Sequence, residues 1–514
     1  MTKALRHIAS TAITATAITA TAQSADSLAM ACAEHASPVA ALRQAIYDNP
    51  AMQGVHHATS LNELYAGYNH YNANEPVRLE DGDRYNLGLG RIDAYLRGPK
   101  TTVWGAAEYQ NGKYKNIQYC ETSDYDIVAP YVMADTVGGD TQSERYYFMG
   151  GFCYSAGRFN IGAQGQYTAK LEYRTRDPRP KNLTGDLQAR VGASYNVTNR
   201  QLLGVAVTAR RYKQTNELEL YNEVSVPTIY HLTGLGTDYY RFRGENTETY
   251  YKGYAVGANI TYSQTGHGPH PTADGWWAAA AYDFTHIDKI ISDLNQLPMA
   301  QTALYSQTAA AGWSGRTPAG DAVGLALSQQ WSKKHGTENI FGSAMDNIYP
   351  QISSAQQYSL TQWEAKLDAA WERTAGRKTV ALSLTAAYNS RNESYLDPTR
   401  VMKASWLTAG LSVDGRTTAG RVNLSANVAA RYAWSTTSSL TADDDALSSA
   451  LFTPISHYYA YLSNDRWSLG AGVEAGYLTT GRVMPFVRVG LLRQQYAAGH
   501  RHCTSVEVAA GIKL

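Results

Sequence analysis

A period of two, held over segments too long for an ordinary soluble strand, limits this chain more than any other feature. From Phe159 to Leu171 the odd positions read Phe, Ile, Ala, Gly, Tyr, Ala, Leu, and the even ones between them Asn, Gly, Gln, Gln, Thr, Lys. Leu187–Tyr195, Trp363–Trp371, Val380–Tyr388, Val422–Tyr432 and Val506–Leu514 repeat the pattern. Such alternation makes a strand with one apolar and one polar face. These stretches run about 10 to 14 residues, whereas soluble strands peak near 5 or 6 and a tilted membrane strand needs about 9–11. Aromatic residues close the apolar faces. Trp363 and Trp371 lie roughly 26 Å apart along a strand, which after tilting approaches the spacing of two interfacial girdles. Tyr250 and Tyr262 bracket Tyr254, Val256, Ala258 and Ile260 in the same way.

Turn chemistry gives a second line of evidence. Short connections recur at Ala156-Gly157-Arg158, Thr198-Asn199-Arg200, Ala375-Gly376-Arg377, Ala419-Gly420-Arg421 and Thr480-Gly481-Arg482. Their Gly and Asn residues tolerate the positive φ of tight hairpins. Longer polar stretches at 113–142, 214–249, 333–356 and 438–466 alternate with them. Short turns on one side and long loops on the other are the pattern of a membrane barrel. Counting back from a periplasmic C-terminus gives about 18 strands and about nine outer loops; the first four strands are the least defined, so 16 or 20 also fit. The expected fold is therefore an all-β, transmembrane, antiparallel up-and-down barrel over 61–514. Its partner is outer-membrane lipid.

Composition agrees. The 514 residues include 38 Tyr against 8 Phe and 10 Trp, and only 17% are charged. Tyr, with an apolar ring and a polar tip, suits membrane–water interfaces. Mean hydropathy is −0.38, with no mature run of 18 apolar residues, which argues against a helical membrane protein but not against a barrel, whose lumen face is polar. With 45 basic and 44 acidic side chains there is no basic excess for nucleic acid.

The N-terminus reads as an export signal over 1–22. Lys3 and Arg6 precede an apolar stretch from Ile8 to Ile18 and an Ala20-Thr21-Ala22 cleavage site. Leu28-Ala29-Met30-Ala31-Cys32 only faintly matches a lipid-attachment box, and Asp26 separates it from the apolar stretch, so no lipid is assigned. Residues 23–60 form an N-terminal periplasmic segment. Pro38 suits a first helical turn, the apolar spacing from Val39 to Tyr47 is helical, and Asn49-Pro50 stops it. A flexible lead-in is the alternative.

No catalytic, metal, cofactor or substrate residue is assigned. His500-Arg501-His502-Cys503 is the tightest potential ligand cluster, but strand alternation puts Cys503 opposite the histidines. His267-Gly268-Pro269-His270-Pro271 reads as turn punctuation, and Asp443-Asp444-Asp445 as a solvated acidic tip. Four dispersed cysteines, Cys32, Cys120, Cys153 and Cys503, have no C-x-x-C spacing and no readable pairing. Asn182-x-Thr184 and Asn196-x-Thr198 carry no weight in this setting. No G-x-S-x-G elbow is present, and no enzyme is assigned, although a barrel hydrolase need not use one. The expected lumen set is Lys170, Glu172, Arg174, Glu364, Lys366, Asp368, Arg431, Glu507 and Lys513. It mixes signs, unlike a strongly ion-selective pore, and permits pairing across strands.

The Ala22-Gln23 junction, Asn49-Pro50-Ala51 before the first strand, Tyr461-Leu462-Ser463-Asn464-Asp465-Arg466-Trp467 entering a late strand, and the terminal Val506–Leu514 strand together resemble an outer-membrane barrel family of Bacteroidota of unknown function. Many such barrels end in Phe, where this chain has Leu514. The resemblance implies fold and an outer-membrane location, and supplies no functional residues. Residues 23–60 are too few for the plug domain of a TonB-dependent receptor. The expected function is a transport or accessory channel for a small solute. The alternatives are a plugged scaffold whose loops at 214–249 or 438–466 engage a surface lipoprotein or transporter, a barrel hydrolase, and a secreted soluble all-β protein.

Overall fold

In the computed structural model, residues 25–222, 227–244, 248–264, 274–346, 348–480, 483–497 and 501–514 are described. The export signal, the 267–271 histidines, His500 and Gly481-Arg482 lie outside them.

Eighteen antiparallel strands form one sheet. The first, Leu61–Ala73, pairs with both the second, Arg84–Arg97, and the last, His502–Lys513, with Glu63 opposite Lys513, so the sheet closes on itself. The alternating segments are strands as expected: Phe159–Arg174, Arg179–Thr198, Gln351–Ala375, Lys378–Tyr395, Val422–Thr441 and His502–Lys513. Gly157, Gly376 and Gly420 occupy the tight turns with φ of 61–64°. The long connections are shorter than the sequence suggested, at 118–138, 220–247, 342–350 and 442–465, because the strands run past the membrane zone. Gln351–Ala375 has 25 residues, more than twice the span that hydrocarbon demands.

Exposure follows the pleat. Val205, Val207, Leu325, Leu327, Val428 and Leu469 all point outward, each at least half exposed. An apolar surface this continuous is not stable in water and marks the lipid-facing belt. Rings pair on it, Phe159 with Tyr195 near the short turns and Trp363 with Tyr388 further out. Closure leaves no unpaired strand edge in hydrocarbon. Among the described residues no helix is long and apolar enough to cross a membrane.

The nine expected lumen residues all lie on the inward register. Several pair across strands. Lys513 reaches Glu474 and Glu63, and Arg488 joins the same two carboxylates, while Lys366 meets Asp368 of its own strand at 2.8 Å. Arg91 and Arg145 share Glu108.

The segment before the barrel is helical at Ala25–His35 and Pro38–Ala41, then passes through two 3-10 turns, Gln44–Asp48 and Pro50–Val55. The continuous helix read across 39–47 is thus broken after Ala41. Asn49 does not simply stop a helix. Its Oδ1 accepts from the Ala51 amide at 2.9 Å and starts the next turn. The break lets Ile46, Tyr47 and Met52 face the wall residues Leu202, Trp277 and Ala326.

Candidate functional site

Residues 25–60 contact the inward side of the wall around its circumference at the short-turn end. Leu28 packs with Leu478 and Met484. The buried Arg43 donates to Ser263 Oγ at 2.8 Å and to the Gln264 carbonyl at 2.6 Å. Arg190 donates to the Asp48 carbonyl, and Tyr95 OH to the Gln53 carbonyl. Arg97 donates to the Gly54 and His57 carbonyls. Wall glycines make room for this path. A Cβ on Gly162 would stand 2.4 Å from the Pro50 carbonyl carbon, and one on Gly192 2.1 Å from Asn49 Oδ1. The segment is a seal over the mouth, held mostly through its backbone.

Three histidines join the ends of this seal. His35 stacks on His57 at 3.7 Å, His57 on His56 at 3.8 Å, and His56 on Tyr47 at 3.9 Å. Tyr95 of the second strand meets all three rings edge-on. Burial, reinforced by the neighbouring imidazoles, brings His35 down to about 4 and His56 to about 3. Burial pushes Glu34 up, but His57 and hydrogen bonds from Thr59 and the Ala58 amide outweigh it and leave Glu34 at about 2. His35 and His56 are therefore neutral at neutral pH, beside an ionised carboxylate.

The opposite end is closed from the long loops. Met133–Ala134 of the 118–138 loop pairs with Tyr230–Gly234 of the 220–247 loop, which pairs with Thr237–Asp238. Met133, Ala134, Asp135, His231 and Thr233 are fully buried, so this small sheet lies inside the lumen. Inward wall side chains hold its backbone. Lys289 Nζ donates to the Val132 carbonyl at 3.2 Å, Lys334 Nζ to those of Asp126 and Ala129, and Tyr251 OH to that of Tyr131. Asn182 and Asn216 both donate to the Glu121 carbonyl, and Arg174 pairs with Glu121 and Asp135. From the 442–465 loop, Leu462 of the helix Thr453–Leu462 packs with Leu235 and Tyr358.

A chamber of about 1090 Å³ lies beneath these loops, and no residue of 25–60 lines it. On the first three strands its wall carries Tyr71, Tyr85 and Tyr114, with Tyr71 and Tyr85 stacked at 5.1 Å. Half a turn around the barrel, Ser306, Ser332 and Gln362 form one register row, with Gln330 beside it. The charges between these walls are mostly paired. Arg78 bridges Asp81 and Asp126, Lys170 bridges Asp124 and Glu172, and Arg391 holds Glu393. Glu80, in the 74–83 connection between the first two strands, accepts from Tyr125 OH through Oε1, while its buried Oε2 has no partner among the described residues. Burial raises its carboxyl to about 7.

The sequence candidates gather nowhere. Asp443 caps the short helix Asp444–Ser448 through Oδ1 and lies 3.6 Å from Arg400. Cys503 is buried on the inward face, and all four cysteines are free. Among the described residues no group of three or more His, Cys, Asp or Glu is placed to hold a metal. The residues that close and line the chamber were not picked out as a site from the sequence, apart from Lys170, Glu172 and Arg174 as lumen charges. The clearest usable signal was the inward register itself, which places Ser332, Lys334, Arg391 and Glu393 on the lumen side.

No curated protein matches the sequence. Among solved structures, the chain is similar to the ferric preacinetobactin receptor BauA from Acinetobacter baumannii, at 9% identity, 87% of this chain, 80% of that one and a TM-score of 0.35. It is similar to the FrpB iron transporter from Neisseria meningitidis at 6% identity, 88% and 81% coverage and a TM-score of 0.40. It is also similar to the copper transporter OprC at 9% identity, 85% and 62% coverage and a TM-score of 0.40. Residues 50–514 match a family profile described as a family of unknown function, and the chain belongs to that family, DUF6850.

Proposed function

We propose that this chain is an outer-membrane barrel that takes a small polar solute into its lumen and passes it by opening closures made from its own sequence. The observation that carries the reading is a chamber lined by polar and aromatic side chains and capped by inward loops on one side, with the 25–60 seal at the other mouth. An open porin would leave an aqueous channel at this strand number. A barrel that served only as a rigid anchor would have no use for a chamber this large.

Planar-bilayer recording tests the proposal. The intact chain is expected to stay silent. A chain lacking residues 25–57, with 121–136 replaced by a short Gly-Ser linker, is expected to conduct in steps. Steady conductance from the intact chain overturns the closure. If the doubly opened chain stays silent yet still migrates as a heat-modifiable barrel, the lumen passes nothing. The scaffold reading, with loops engaging a surface lipoprotein or transporter, then replaces this one.

A further inference from the structure

Most of the chamber's charges are already taken, while a row of its neutral hydrogen-bonding groups is free. Arg78, Lys170 and Arg391 each have carboxylate partners, and Lys334 is spent on loop carbonyls. A charged ligand drawn to these groups would have to break one of these pairs and leave a buried charge uncompensated. By contrast, the side chains of Ser306, Gln330, Ser332 and Gln362 have no partner among the described residues. A wholly apolar ligand would strand these groups without hydrogen bonds.

We propose that the chamber binds a neutral, polyhydroxylated ligand, a small saccharide in class. This rests on the transport reading above and names its cargo. Amides and hydroxyls both donate and accept, and so do sugar hydroxyls. The tyrosines opposite offer apolar ring surface to the C–H groups of a pyranose and phenolic tips to its oxygens. The volume, about 1090 Å³, sits at the upper end of pockets that bury small ligands.

The test is saturation-transfer NMR on the full chain in an amine-oxide detergent, so that no sugar headgroup competes. The probes are maltotriose and cellotriose, with citrate and spermidine as charged counterparts. At least one trisaccharide is expected to receive saturation, and the charged probes none. The double substitution Gln330→Leu with Gln362→Leu is expected to weaken sugar binding about tenfold or more, the scale of two lost hydrogen bonds. Heat-modifiable migration confirms that this variant is folded. Silence from both sugars overturns the proposal, as does sugar binding unchanged in the folded double variant. Binding of citrate or spermidine instead overturns the ligand class while leaving the transport reading intact. Sugar binding by the full chain, with the doubly opened barrel silent in the bilayer, removes the transport reading and leaves the binding site.

Discussion

At the scale of single residues, the seal depends on side chains that are missing. Gly162 and Gly192 face inward on neighbouring strands, with the 50–51 backbone running directly over the first and the Asn49 side chain over the second. Neither needs glycine for its own φ; each needs the absence of a Cβ. Gly162→Val should therefore leave the lipid-facing surface intact and push residues 49–55 off the wall. The expected result is a normally heat-modifiable barrel in which a protease cuts between residues 45 and 60 far faster than in the parent chain. Equal protection would show that the seal tolerates a branched side chain at its tightest approach. Gly165, two strand pleats away on the outward face, has nothing near its Cβ position, so Gly165→Val is the matched control and should leave protection unchanged.

Elements differ in how much of them the sequence discloses. A barrel strand is written locally: Leu382, Leu384 and Tyr388 alternate with Ser383, Thr385 and Asn389, and the pleat turns that into inside and outside. The closures are not local. Lys334 meets the Ala129 carbonyl 205 residues away, and Lys289 meets Val132 at a separation of 157. Nothing within 118–138 marks that stretch as buried, because its polar groups are satisfied by wall residues whose register appears only when the barrel closes. The N-terminal element was legible as helix-forming but not as a seal, for the same reason. That element should respond to acid. In the released segment a histidine titrates near 6.5, whereas in the seal His35 and His56 hold out to about 4 and about 3. As pH falls below 6.5 the released form takes protons the seal refuses, so the seal weakens progressively down to about 4, and it is at full strength above 6.5. Glu34 adds to the loss in the same direction, its contribution being present above about 4.5 and disappearing as pH falls toward 2. Hydrogen-exchange protection factors across 25–60, taken against the intrinsic rate at each pH, should therefore fall between pH 6.5 and 4, and His56→Gln should flatten part of that fall. A flat profile in the parent chain would sink the idea that the stack fastens the seal.

At the scale of the whole molecule, the outward belt faces lipid and not water. A closed soluble barrel would share the topology, the hairpins and the inward ion pairs, so none of these decides the matter. The two faces of one strand do. Leu367 lies midway between Trp363 and Trp371 on the outward face and is 44% exposed, while Lys366 beside it points inward and pairs with Asp368. In water, Leu367→Arg exchanges an exposed apolar group for a charged one and costs nothing. At the bilayer midplane the same change costs about 2–4 kcal/mol. The measurement is the denaturant midpoint of the chain folded into lipid vesicles, for the parent, for Leu367→Arg, and for Thr385→Arg, an inward position opposite Asp368. A large drop for Leu367→Arg with little change for Thr385→Arg places hydrocarbon against the belt. Equal tolerance of both would leave a water-soluble barrel, and a chamber sealed by its own chain would then have to be explained without a membrane to cross.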